Sequence, residues 1–407
     1  MLPADADGPT RRLSTILVTD GEQRSALAVV RSLGRAGYRV VVAARGRRSL
    51  AGASRWAAAR VTTPDPLADP TAFVEAVGNA IAAHEARIVI PVTDASALAL
   101  LACRQRLAPA IIPMPEVTTF QRISDKGALR EHAERAGLAF PPQHEVRDVA
   151  EARALAATLR YPIVLKPSRS VGEANGARVK MSVRHASGPA ALEAHLDTLP
   201  AQAYPLLLQQ RIVGPGVGVF VLRWNGRRVA TFMHQRLREK PPSGGVSVYA
   251  ESVAPDADLI ARAASLLDDF DWSGVAMVEC KVDRATGTPY LMEVNGRFWG
   301  SLQLAIDAGV DFPVLLVRLA LGESVRGPDQ YRAGLGGRWW WGEVDHVLVR
   351  LRRSNAALAL PSDAPGRARA VVDFLGSCLR FAPDQVFRLS DPMPFFLESV
   401  RWLARSA

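Results

Sequence analysis

The chain has 407 residues, 48% of them hydrophobic, which is enough for two or three domains, and it carries no uninterrupted apolar run long enough to span a bilayer. Its formal charge of +10 comes almost entirely from arginine, with only five lysines (Lys126, Lys166, Lys180, Lys240 and Lys281), and no basic run is interleaved with aromatics in the way that marks nucleic-acid binding. Cys103, Cys280 and Cys378 are far apart and form no CxxC pair, which argues against a disulfide framework or a zinc site and points to a reducing, cytoplasmic setting.

Residues 1–12 read as a disordered leader, acidic at its start and without the apolar core of a signal peptide. Residues 13–114 alternate strand and helix. Ile16 to Thr19, Val40 to Ala43, Ile88 to Ile90 and Ile111-Ile112 read as strands, and Arg24 to Ala36, Phe73 to His84 and Ala95 to Cys103 as helices. This is βαβ patterning and implies a parallel sheet. The first strand–helix turn, Thr19-Asp20-Gly21-Glu22, lacks GxGxxG, so a dinucleotide site is not expected. Thr19-Asp20 and Thr93-Asp94 stand at strand ends, where ligands gather in open sheets and where helix caps also lie.

Residues 115–325 read as an α+β region. Ser124-Asp125-Lys126 is predicted to start a helix that stops at Gly137. Pro162 to Pro167 is a buried strand carrying Lys166 near its end, followed by a small-residue loop from Ser168 to Gly176 that includes Gly172. Leu206 to Gln210 is another strand, and Asn225-Gly226 marks a type I′ hairpin between Val217–Trp224 and Arg228–Arg238. His234, Arg236 and Arg238 are predicted to share one face of the second strand. Arg238 is the candidate contact to a carboxylate, because guanidinium groups recognise carboxylates through paired bonds. Ser243-Gly244-Gly245 marks a flexible loop, and Asp256 to Phe270 a helix.

The most informative segment follows. Val275 to Val282 and Tyr290 to Arg297 read as two strands joined by a turn-rich connection with Gly287. If Val282 pairs with Tyr290, Glu279 falls opposite Glu293, and Glu293, Asn295 and Arg297 share that face. Like charges opposed on a sheet are destabilising. Two carboxylates and an amide oxygen gathered this way want a cation between them, and hard oxygen ligands suit Mg²⁺ bridged to phosphates. Residues 326–407 form a helical extension, with helices expected at 343–353, 366–381 and 391–404. Its last helix is amphipathic, with Phe395, Phe396, Trp402 and Arg401. That pattern fits packing on the body of the protein, a peripheral membrane contact or a homo-oligomer contact.

In these residues, over about 13–325, the chain resembles the ATP-grasp superfamily of carboxylate–amine or thiol ligases. The resemblance implies an α/β and α+β fold, with a Rossmann-like pre-ATP-grasp domain at 13–114, a two-subdomain ATP-grasp fold at 115–325 and the helical C-terminal extension. It implies Mg²⁺, or Mn²⁺ in its place, held by Glu279, Glu293 and Asn295, with Arg297 near the γ-phosphate and acyl intermediate. It assigns ATP phosphates to Lys126, Lys166 and the loop containing Ser168 and Gly172, and adenine to Gln209, Gln210, Arg211 and Ile212. Gln210 stands where many relatives carry Glu, and Gly216-Val217-Gly218 where many carry a ribose-binding Glu. The implied activity joins a small-molecule carboxylate to an amine through an acyl phosphate. The alternatives are a bicarbonate-phosphorylating enzyme and an ATP-binding scaffold without turnover.

Overall fold

The computed structural model describes residues 14–167, 171–174, 177–180, 183–361, 363–379 and 382–406. The expected leader at 1–12 and Ser168 lie outside these residues. The first sheet holds β1 (Thr15–Val18), β2 (Arg39–Ala44), β3 (Ala57–Thr62) and β4 (Ala86–Ile90), all parallel, in the order β3-β2-β1-β4. Both faces of its central strands are covered, and β1 and most of β2 are buried as continuous apolar runs. The helix Arg24–Arg35 connects β1 to β2, and Gly37 follows it with φ of 89°, a left-handed conformation that glycine adopts without a steric cost.

Two sequence expectations change here. β3 was not foreseen, because its Ala-Ala-Ala-Arg-Val-Thr sequence carries little β-branched or apolar signal. Ile111-Ile112 is not a strand but contributes one parallel bridge, Ile88 to Ile111. Pro113 follows directly and has no N–H with which to extend a ladder.

A second sheet holds β5 (Gln143–Val146), β6 (Ile163–Pro167), β9 (Arg184–Ala186) and β10 (Leu206–Gln210), antiparallel in the order β5-β10-β6-β9. Between β6 and β9, β7 (Val171–Ala174) pairs with β8 (Ala177–Lys180), so the expected small-residue loop is partly a hairpin, with Gly172 paired to Val179. The third sheet has six strands: β11 (Gly216–Trp224), β12 (Arg227–Lys240), β13 (Val246–Ser252), β14 (Gly274–Val282), β15 (Pro289–Asn295) and β16 (Gly336–Arg338). They run in the order β15-β14-β11-β12-β13-β16. Asn225 and Gly226 have φ of 48° and 74°, the conformation a type I′ turn requires. β16 belongs to the region read as a helical extension; three residues, two of them glycine, give too short a run to be recognised.

One core runs from Leu17, Val41 and Phe73 of the first sheet's surroundings to Val219, Leu266, Ala276 and Leu291 beneath the large sheet. A second joins Ile16 and Val29 to Phe220, Phe232, Trp299 and Phe312. The first and third sheets therefore share these two cores. The lobe around β5, β6, β9 and β10 has a separate small core built from residues such as Val146, Leu165, Leu192 and Leu206.

The C-terminal helices Trp340–Arg352, Arg367–Leu379 and Met393–Ser406 pack on this body. Trp402 stacks on Trp341 with ring centroids 4.2 Å apart, and Phe395 packs against the second core. Met393, Phe396, Val400 and Leu403, on the other side of the last helix, remain exposed. Among the described residues no helix is long and apolar enough to cross a membrane.

Candidate active site

The β14–β15 hairpin places Glu279 directly opposite Glu293, by a route the sequence does not reveal. The turn end is paired one residue out of the expected register: Val282 faces Pro289, Lys281 faces Tyr290 and Cys280 faces Leu291. An irregularity between Glu279 and Cys280 leaves Met292 as the extra residue on β15. Beyond it Glu279 meets Glu293, Val278 meets Val294 and Met277 meets Asn295. A bulge of this kind re-aims side chains and is common beside active sites.

Each carboxylate has its own cation. Lys126 Nζ lies 3.1 Å from Glu293 Oε2, and Asn295 Nδ2 donates to Glu293 Oε1 at 3.0 Å. Asn295 Oδ1 accepts from Arg297 Nη2 at 3.1 Å, and Arg297 Nε lies 3.2 Å from Asp94 Oδ1. On the neighbouring strand, Arg236 donates to both oxygens of Glu279, at 2.7 and 2.5 Å, and also reaches Glu239 at 3.1 Å.

Burial opposes ionisation of Glu293, but Lys126, Asn295 and Lys166 together hold its carboxyl well below the usual carboxylate range. Glu279 goes the other way: burial raises it, Arg236 opposes the rise, and the facing Glu293 adds to it. The Lys166 ammonium is pushed down to about 8, first by burial and then by Lys126, with Glu293 pulling it back. The site therefore carries alternating charge, partly shielded from water.

A cavity of about 400 Å³ gathers most of the predicted residues, with Lys166, Gln209, Gln210, Arg211 and Ile212 on one side and Glu279, Glu293, Asn295 and Arg297 on the other. Gln209 is buried and donates to Gln143 Oε1 at 2.9 Å, whereas Gln210 is exposed. Lys126 is buried, yet it does not start a helix. It sits in the turn between helices Val117–Ser124 and Leu129–Arg135, because Asp125 Oδ1 accepts from the N–H of Gly127 at 2.9 Å and that of Ala128 at 3.3 Å and closes a local turn.

The expected common face of His234, Arg236 and Arg238 does not form. Register shifts on either side of Arg238 turn it toward the C-terminal extension, where it bonds Glu343 at 2.6 Å and Ser377 at 2.6 Å. Arg236 takes the place beside the carboxylates. His234 is buried against Phe220, and burial followed by Arg236 pushes it down to about 3, so it is neutral.

Sequence reading did not anticipate Arg236 or Asp94 as partners in the site. The alternation along β12 pointed at the right strand, but the shift that separates Arg236 from Arg238 leaves no residue signature. Thr93 caps its helix in a capping box with Ser96, as strand-end residues do, and Asp94, next in sequence, pairs with Arg297. Asp20, at φ of 56°, accepts from Thr93 Oγ1 at 2.9 Å and Ser96 Oγ at 2.6 Å, which fixes the β1 and β4 ends together.

Among the described residues no group of three or more His, Cys, Asp or Glu could hold a metal. Glu279, Glu293 and Asn295 Oδ1 suit a hard divalent ion that takes its remaining oxygens from phosphates, the usual arrangement for Mg²⁺. The facing, partly buried like charges also fit one. Binding requires Arg236 and Lys126 to loosen their hold on the carboxylates.

A family model described as ATP-grasp in the biosynthetic pathway with Ter operon matches residues 202–339. No curated protein matches the sequence. The L-amino acid ligase of Bacillus licheniformis is 17% identical, with 77% of this chain and 75% of that chain covered and a TM-score of 0.60. The biotin carboxylase domain of Hydrogenobacter thermophilus 2-oxoglutarate carboxylase, in complex with MgADP, ADP and bicarbonate, is 18% identical, with coverage of 79% and 73% and a TM-score of 0.61. The biotin carboxylase of Campylobacter jejuni, solved as a β-γ-ATP complex, is 16% identical, with coverage of 81% and 75% and a TM-score of 0.63. The chain thus shares its fold over most of its length with these enzymes, and the segment that carries Glu279 and Glu293 matches an ATP-grasp family model.

Proposed function

We propose that the protein is an ATP-dependent, ADP-forming ligase that joins a small-molecule carboxylate to an amine. One observation carries this reading: Lys126, Lys166, Glu279, Glu293, Asn295 and Arg297 converge at one site, with partly buried carboxylates facing each other across β14 and β15. Phosphoryl transfer asks a protein mainly for positioning and charge neutralisation, and this set of side chains supplies both. A carboxylate oxygen of the acid attacks the γ-phosphorus of ATP and ADP leaves. The amine nitrogen then attacks the acyl carbon, inorganic phosphate departs and the amine loses a proton to solvent or to that phosphate.

Lys126 and Lys166 hold phosphate oxygens in this reading, and Arg297, oriented by Asp94 and Asn295, faces the transferring group. Gln209, Gln210, Arg211 and Ile212 line the adenine end, and Gly172 together with Ser168 belongs to the phosphate loop. Arg236 takes over the carboxylate contact first assigned to Arg238, because Arg238 is committed to Glu343. Mg²⁺, or Mn²⁺, on Glu279, Glu293 and Asn295 supplies neutralisation of the phosphate charge.

The test is ADP release against a panel of acids and amines. Release that depends on both substrates is expected, and Glu293→Gln should reduce it by three orders of magnitude or about that. A Glu293→Gln protein as active as the wild type sinks the assignment. The bicarbonate found with one of the similar carboxylases gives the second reading its footing. ADP release that needs bicarbonate and no other acid would select it.

A further inference from the structure

Beside the nucleotide cavity lies a second one, of about 560 Å³, between the β11–β12 end of the large sheet and the C-terminal extension. Arg211, Arg236, Glu239, Ser243 and Lys281 line both cavities, so the two communicate. Its walls are strongly basic, and not all of that charge is matched. Arg236 and Arg238 are held by Glu279 and Glu343, and Arg284 by Asp363. Arg211, Lys281 and Arg350 have no carboxylate partner among the described residues.

Arg350 is only 5% exposed. It donates to the Pro365 carbonyl, while its Nε is buried with no hydrogen-bond partner. Arg211 likewise reaches only a backbone carbonyl, that of Ala359. Burial lowers both guanidinium groups from their ordinary value, and no acid raises them back. A buried guanidinium without a counter-ion is costly, and a bound anion removes that cost.

We propose that this cavity binds a small molecule carrying at least two carboxylate or phosphate groups, held by Arg211, Lys281 and Arg350, and that the C-terminal extension completes the site. His346 contributes no charge, because burial lowers it and its Nδ1 meets the Glu239 carbonyl. Arg350 comes from the helix Trp340–Arg352 and Lys281 from β14, so the ligand bridges the extension to the strand that carries Glu279. This goes beyond the ligation reading, since it rests on the charge of the cavity and not on turnover.

The experiment is calorimetric titration of the full chain with citrate and with pyrophosphate, ADP being held at saturation so that the nucleotide cavity is filled. One-site binding of at least one probe is expected. Citrate alone indicates a carboxylate ligand, pyrophosphate alone a phosphate ligand, and either supports the proposal. Arg350→Met should weaken that binding about tenfold while the ADP affinity stays unchanged, and Arg350→Lys should restore part of it. Lys281→Met, at a partly exposed position, gives the second measurement if Arg350→Met fails to fold. Binding weaker than about 10 mM for both probes, or unchanged binding in a folded variant, overturns the proposal. Because no amine and no turnover enter the titration, a failed ligase assay leaves its result standing, and absent probe binding leaves the ligase reading untouched.

Discussion

Arg236 holds both oxygens of Glu279 on a strand next to the one that bears it, and the two side chains are 9% and 14% exposed. Removing the guanidinium leaves a buried carboxylate facing Glu293. Arg236→Met is expected to cost about 3–5 kcal/mol of stability in urea unfolding, and adding Glu279→Gln should recover much of it. If Arg236→Met unfolds at the same urea concentration as the wild type, the pair is not a structural ion pair.

Lys166 makes a pH prediction. Its ammonium titrates at about 8 in the folded chain, against an ordinary value of 10.5, because burial and Lys126 disfavour the charge. The unfolded chain binds more protons between these values, so this group's contribution to stability rises from pH 8 to 10.5. Phosphate binding favours the charged form. ADP affinity should therefore fall as pH rises through about 8, with proton uptake on binding visible as a buffer-dependent heat. Lys166→Arg, charged throughout, should remove both effects, and an unchanged pH profile in that variant would assign the inflection elsewhere.

At the scale of elements, one buried carboxylate ties the C-terminal region to two strands of the large sheet. Glu343, fully buried at the start of helix Trp340–Arg352, receives Arg238 Nε from β12 at 2.6 Å and Arg338 Nε from β16 at 2.7 Å. Glu343→Gln strips the charge from between two buried guanidinium groups and should destabilise the protein by about 3–5 kcal/mol, read as a lower urea midpoint. An unshifted midpoint would mean the arginines find other partners.

None of this network was legible in the sequence, since Arg238 and Glu343 lie 105 residues apart and carry no periodic signal. What was legible had local chemistry behind it. The Asn225-Gly226 turn, the β-branched runs of β1, β2 and β14, and the alternation that sets Glu293 with Asn295 are all fixed by neighbours in sequence. Of the strands that escaped, β3, β5, β9 and β16 are edge strands held by tertiary pairing and not by propensity, while β13 lies inside the large sheet. The Lys126 turn escaped for a related reason: Asp125 competes with the helix by bonding its own following backbone. The Glu279–Glu293 pairing was read correctly although the bulge at Met292 was not, because the bulge absorbs a one-residue slip at the turn end and leaves no mark in the alternation of side chains.

At the scale of the whole molecule, the distribution of cores says which parts move together. The first and third sheets share two cores, and the extension is tied back to the first sheet by the Arg31–Asp391 ion pair, both side chains 1% exposed. The lobe of β5, β6, β9 and β10 is built differently. Its apolar contacts close on themselves in a small core, and it meets the rest chiefly across the nucleotide cavity, to which it contributes Lys166 and Gln209 to Ile212. Units with few shared buried contacts open at lower free energy than the body they sit on. Hydrogen exchange in the nucleotide-free protein should therefore be faster in β6 and β10 than in β11 and β14, although all four are central strands with buried residues. On the proposed reading MgADP would bridge the lobe to the carboxylate hairpin, so it should slow exchange in β6 and β10 by a larger factor than anywhere in the shared cores. Equal protection of lobe and body without nucleotide would show that they open as one unit, and the cavity would then be a fixed cleft.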